Sequence, residues 1–220
     1  MEKKKIILIV SLFNLMIFFS CHQKIENRDN QETTEPLTPV TEVEPDSDLE
    51  KALQAFVEKH YKESDQYIRN AAKSMQSIAS ISTGEQKTEI ERSIGELNDL
   101  AGRVALDRVD GINELNYFFS RAGHALAGYK VFITESYFNS HLPKEAAKAL
   151  RKAINQMEAN LKYHSREKNQ DEIKVLEDAK LLAGKIERED KISDEEVRKN
   201  LDSLKAQIKK WNEEFAVRKH

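Results

Sequence analysis

From Ser47 to the C-terminus the apolar residues recur every three or four positions, and little interrupts them. That spacing gathers them on one side of an α-helix; a half-buried strand would need alternation every second residue. Breakers are scarce: the chain has 7 Gly and 4 Pro, and three of the prolines precede Ser47. Helices striped in this way must cover their apolar sides with one another. The pattern predicts an all-α fold of about seven helices, an antiparallel helical bundle or stacked helix hairpins, in a single domain over residues 48–220.

The turns can be placed from local chemistry. Ser47 and Glu50 have the spacing of a capping box, which would open the first helix. Leu49, Ala52, Leu53, Phe56 and Val57 then form its inward face. A second helix is expected over about 63–80 and a third after the break at Ser82-Thr83-Gly84. A fourth runs over about 113–140. The turn His141-Leu142-Pro143 leads into a fifth, since Pro suits a first helical turn. A sixth follows Asn169, and a seventh follows Ser193 and Glu196, again with capping-box spacing. Its stripe Val197, Leu201, Leu204, Ile208, Trp211, Phe215 steps by four and three, and so predicts a buried Trp211.

The N-terminus is of another kind. Lys3, Lys4 and Lys5 precede Ile6–Phe19, 14 residues that are apolar except for Ser11 and Asn14. This is short for a permanent span of ~30 Å of hydrocarbon, and its layout is that of an export signal. The only Cys, Cys21, follows the small Ser20. The segment resembles a bacterial lipoprotein signal peptide, with Phe18 where an aliphatic residue is more usual. The resemblance implies removal of residues 1–20 and lipidation of Cys21 with palmitate-like acyl chains. It implies anchoring to the membrane of the cell envelope, periplasm-facing or at the surface. His22, rather than Asp, favours the outer membrane.

Residues 21–47 read as a flexible tether. The stretch 22–47 carries two basic and seven acidic side chains, three prolines, and no Gly or aromatic residue. Such a segment cannot bury enough surface to order itself. The remainder of the mature chain is balanced in charge, which leaves no electrostatic footprint for nucleic acid.

An internal echo is present. Lys62–Met75, KESDQYIRNAAKSM, and Lys144–Met157, KEAAKALRKAINQM, share five of fourteen residues at a separation of 82. Tyr61, Ser64, Ile68 and Ala71 in the first copy, and Ala146, Leu150 and Ala153 in the second, resemble the second half of a tetratricopeptide repeat. Lys59 and His141 stand where that repeat usually turns on Gly. The resemblance implies close helix-hairpin packing and a peptide-binding surface. Leu176–Ile186, LEDAKLLAGKI, followed by a last helix, is similar to the YfdX family of exported helical proteins, which implies a stress or chaperone-like periplasmic role.

Signs of catalysis are missing. No P-loop, dinucleotide fingerprint, GxSxG or HExxH occurs, and no catalytic carboxylate pair is expected inside an apolar stripe. His60 with Glu63, and His141 with Glu145, are one-turn pairs read as surface residues, so no metal and no cofactor is expected. The fourth helix differs from the others in holding only Glu114, Arg121, Lys130 and Glu135 as charges between residues 113 and 140. One side carries Leu115, Phe119, Ala122, Leu126, Tyr129, Ile133 and Tyr137. A second line carries Tyr117, His124, Val131 and Phe138, about half a turn away. Either neighbours wrap this helix on both sides, or the second line forms a ligand-binding groove in which His124 and Tyr117 orient the ligand. The expected function is a lipid-anchored, non-enzymatic protein-binding or scaffolding role, with envelope proteins as partners. The alternative is small-ligand binding, or a chaperone-like role, through that groove.

Overall fold

The computed structural model describes residues 45–163 and 169–217, all within one compact unit. It is all-helical: α1 Pro45–Val57, α2 Tyr61–Ile81, α3 Gly84–Ala105, α4 Ile112–Asn139, α5 Pro143–Tyr163, α6 Gln170–Glu187 and α7 Asp194–Val217. Among the described residues there is no strand, and no helix is long and apolar enough to cross a membrane. The expected signal peptide over residues 1–20, the expected lipidation site Cys21 and most of the expected tether lie outside the described residues.

Helix α1 begins two residues before the expected cap. Pro45 needs no partner for an N–H and its fixed φ suits the first turn. Asp46 and Asp48 then supply first-turn negative charge. Ser47 therefore lies exposed inside the helix and caps nothing. Val57 also departs from expectation: as the last residue of α1 it is 61% exposed rather than inward. At α6 a full capping box does form between Asn169 and Glu172. At α7, Ser193 Oγ accepts the Glu196 N–H at 3.1 Å, while the Glu196 carboxylate takes Lys185 Nζ at 2.5 Å.

The echo at 82 residues extends over nearly the whole fold. Helix ends Val57 and Asn139, Ile81 and Tyr163, and Ala105 and Glu187 are spaced by it. So are the starts Tyr61 and Pro143, and Ile112 and Asp194. Among the described residues, four non-glycine residues have left-handed φ: Lys59 (62°) and His141 (57°), Asp107 (51°) and Glu189 (56°). They form two pairs at the same offset. Each closes a helix with the same two hydrogen bonds, for example Lys59 N to Phe56 O and His60 N to Ala55 O, repeated at His141 and Leu142. This is the Schellman ending, in which the left-handed residue turns the chain so that orphan carbonyls are satisfied. Even the ion pair of Arg103 with Glu114 recurs as Lys185 with Glu196.

The duplication explains the length of α4. Its C-terminal half, residues 127–139, corresponds to α1, and its N-terminal half corresponds to the start of α7. One core joins α1, α2 and α3 to Leu115, Phe119, Ala122, Leu126 and Tyr129 of α4. The other joins α5, α6 and α7 to Ala127 and Val131. Two four-helix bundles thus share α4, which is wrapped on both sides. The fully buried members of both cores lie between Leu49 and Trp211, so a chain from residue 22 onward contains the described fold.

Candidate functional site: a cleft at the joint of the two bundles

Both α3, from the first bundle, and α7, from the second, pack on α4. Between them lies a cleft of about 460 Å³, within the range of small-ligand sites. Its floor is the α4 face formed by Arg121, His124, Ala125 and Gly128, with Ala206 and Ile208 of α7 beside it. Small side chains make the space. A Cβ placed on Gly128 would meet nothing within 4 Å. Glycine inside a helix costs about 1 kcal/mol relative to alanine, so this opening is held at some expense of stability.

His124 is 1% exposed and is held in place. Its Nδ1 lies 3.1 Å from Asn212 Oδ1, and its ring stacks on Trp211 with centroids 5.4 Å apart and planes 28° from parallel. Trp211 is in turn fixed by its indole N–H, which donates to Glu172 Oε1 at 2.9 Å. Glu172 is fully buried, and its other oxygen accepts the Asn169 backbone N–H at 3.0 Å. The chain of contacts Glu172–Trp211–His124–Asn212 therefore runs from the interior of the second bundle to the cleft. Glu172 is a single carboxylate inside an apolar stripe: it lies one turn before Leu176, on the buried side of α6. The 82-residue offset aligns Glu172 with Ile90, a core residue, and that alignment is the signal which could have found it.

Each wall carries both signs of charge, with acidic residues in the majority on α3 and basic residues on α7. On α3, Glu85 and Glu89 lead to Arg92, which pairs with Glu89 at 2.9 Å. On α7, Lys205 and Lys209 lead to Glu213. Arg121 on the floor is tied to Glu96 at 2.8 Å and accepts no role as a free cation, since it also reaches the Tyr117 hydroxyl at 3.2 Å. For Lys205, burial lowers the pKa, but the hydrogen bond and charge of Glu135 and then Asp202 raise it, and the net shift is upward. Lys205 thus stays cationic. None of the 14 lining residues bears a hydroxyl or thiol.

The four residues of the second α4 line do not gather around one groove. Val131 is completely buried against α5–α7, and Phe138 packs partly buried on the same core. Tyr117 is partly buried between the two cores, with its ring edge-on to Phe118 at 5.0 Å. Only His124 opens onto the cleft. The physical reason is that α4 is a shared helix wrapped on both sides, the first of the two arrangements its double apolar pattern allowed, so its second side serves the second bundle. The turn histidines stay at the surface: His60 lies 3.6 Å from Glu58 and 3.7 Å from Glu63. Among the described residues no group of three or more His, Cys, Asp and Glu could hold a metal ion.

No protein-family model, no curated protein and no solved structure matches this chain. The resemblances to lipoprotein signals, tetratricopeptide hairpins and the YfdX family rest on the residues quoted for them.

Proposed function

We propose that the protein is a non-catalytic, extracytoplasmic binding protein, lipid-anchored through Cys21, that takes a small charged organic ligand in the cleft between α3, α4 and α7. The observation that carries this reading is the cleft floor, where Gly128 and Ala125 leave room beside an oriented, buried His124. Glu85 and Glu89 on the α3 wall and Lys205 and Lys209 on the α7 wall, with Arg92 and Glu213 beside them, suit a molecule that carries both charges around an apolar body. With no hydroxyl or thiol on the lining, His124 has no nucleophile to activate, and its proposed role is to shape and orient the cleft floor. The tether would hold this domain off an envelope membrane, and two or three acyl chains would make the anchoring stable.

Two measurements test this. Labelled palmitate should enter the wild-type chain in a bacterial host and not Cys21→Ala; equal labelling would refute the anchor. For the cleft, residues 22–220 are screened by thermal shift against zwitterionic, anionic and cationic metabolites, with Gly128→Leu in parallel. A ligand present at 100 times its Kd stabilises by about 2.7 kcal/mol, which is readily seen. A shift in the wild type that vanishes in Gly128→Leu supports the site. A shift of the same size in both, or none across the panel, refutes it.

A further inference from the structure

Glu172 is an unfavourable residue to keep where it stands. It is fully buried, and a carboxylate taken out of water is destabilising unless hydrogen bonds compensate it. The duplicated fold shows that the position does not need one: its counterpart in the first bundle is Ile90, also fully buried. Trp211 likewise has the smaller Tyr129 as its counterpart. Before α4, the buried polar side chains among the described residues are Ser64, Ser82 and Ser93, and none of them is charged. Helix capping accounts for one half of Glu172. It stands in the first turn of α6, and one of its oxygens accepts the Asn169 N–H. A place in the first turn does not require burial: Glu196, at the start of α7, keeps its side chain 39% exposed. The other oxygen of Glu172 explains the burial, since it receives the indole N–H of Trp211.

We infer that Glu172 is a positioning residue for the cleft: by holding the indole of Trp211 it sets the plane of the His124 ring, and with it the shape of the cleft floor. The inference rests on the reading of that cleft as a ligand site. Two constraints fix a planar ring. The stacked face of Trp211 sets its plane, and the hydrogen bond to Asn212 sets its rotation within that plane. Trp211 and Asn212 are adjacent on α7, so both constraints come from one turn of one helix. Glu172 ties that turn to α6. A buried indole N–H needs an acceptor. Without the carboxylate it would be left among apolar groups, and the indole would turn to recover a partner, taking its face away from His124. The ring carries its own reporter. Asn212 Oδ1 can only accept, so Nδ1 holds the proton in the neutral imidazole, and that tautomer persists only while the ring is in place.

The test uses residues 22–220 without ligand. Nitrogen NMR at pH about 8, where a histidine of ordinary pKa is neutral, reads the His124 tautomer, identified by the signal lost in His124→Gln. The single indole N–H signal reads Trp211, the only Trp. The wild type should show the Nδ1–H tautomer and a hydrogen-bonded indole. Glu172→Ile copies the first bundle; it should move the indole signal and shift His124 toward the Nε2–H form. Glu172→Gln keeps an acceptor for the indole and should retain both wild-type signals. Trp211→Phe removes the indole and should shift His124 as Glu172→Ile does; in that background Glu172→Ile should add nothing. A wild-type ring in the Nε2–H form overturns the inference, as does a folded Glu172→Ile chain with the wild-type His124 signal. So does a Glu172→Gln chain that behaves like Glu172→Ile, or a further His124 shift when Glu172→Ile is added to Trp211→Phe. If Glu172→Ile does not fold, Trp211→Phe decides alone: a shifted His124 signal supports the inference and an unchanged one overturns it. The cleft reading and the positioning role fail separately, since a thermal-shift panel with no hit removes the ligand, whereas an unmoved His124 removes the positioning role.

Discussion

Gly123→Ala is the change whose outcome depends most directly on how closely α4 and α5 approach. On sequence grounds it should help, since alanine is favoured over glycine in a helix by about 1 kcal/mol. The structure argues the opposite. A Cβ on Gly123 would lie 2.0 Å from Asn160 Oδ1 and 2.7 Å from both Cγ and Nδ2. Asn160 is fully buried, so its amide has no solvent to swing into. It also belongs to a polar seam: Lys130 Nζ donates to Gln156 Oε1 at 2.9 Å, and Gln156 Nε2 donates to Asn160 Oδ1 at 3.5 Å. Displacing Asn160 costs about 1–3 kcal/mol in overpacking and about 1–3 kcal/mol for buried polar atoms stripped of partners. Less the helix-propensity gain, the net loss should be about 3 kcal/mol. Urea unfolding followed by the fluorescence of Trp211, the only Trp, reads this directly, because Trp211 is buried in the same bundle. The double variant with Asn160→Ala should recover about 2 kcal/mol relative to additivity, because the clash has lost its second member. A Gly123→Ala chain as stable as wild type, or more stable, would show that the two helices are further apart and the reasoning wrong.

Three further outcomes are expected. Trp211→Phe should cost about 2–4 kcal/mol, because the buried Glu172 loses the indole donor and the smaller ring leaves a void; a loss under about 1 kcal/mol in chemical denaturation would mean that solvent reaches Glu172. Burial pushes the Tyr129 hydroxyl up to about 12, helped by Tyr137, and the Tyr163 hydroxyl up to about 12, helped by Glu50 and Asp46. Both are raised above the ordinary value near 10. The stability they support is therefore complete below pH ~10 and lost as pH rises toward 12, and ultraviolet titration should show two tyrosines ionising late; full ionisation near pH 10 in the folded chain would refute their burial. His141→Gly and Glu189→Gly should each stabilise by about 0.5–1 kcal/mol, since left-handed φ strains an L residue by more than glycine adds to the entropy of the unfolded chain; destabilisation in thermal melts would show that those side chains make contacts that matter.

The sequence alone determined the secondary structure. The helical state, the number of helices and most of their boundaries follow from periodicity, prolines and caps, because a helix is specified by contacts within a few residues. The buried Trp211 and the inward stripes of α2, α3 and α5 were legible for the same reason. The offset of 82 was visible as well, though only in one helix, because packing preserves size and burial better than identity: Ile68 and Leu150, or Val104 and Ile186, match as core residues without matching as letters. Tertiary structure decided the rest. The two apolar lines of α4 showed that both sides could be covered, but whether the second is covered depends on a bundle that starts after α4 ends, so local pattern left wrapped helix and open groove undecided. Val57 and Ser47 were misplaced because, at a helix end, one residue more or less moves a side chain from core to solvent. Nothing in the local pattern singled out Glu172, whose buried carboxylate is satisfied by the indole of Trp211, 39 positions away. The cleft is likewise a property of three helices at once: Gly128 and Ala125 are unremarkable letters until α3 and α7 stand on either side of them, since concavity arises only when separate elements are packed.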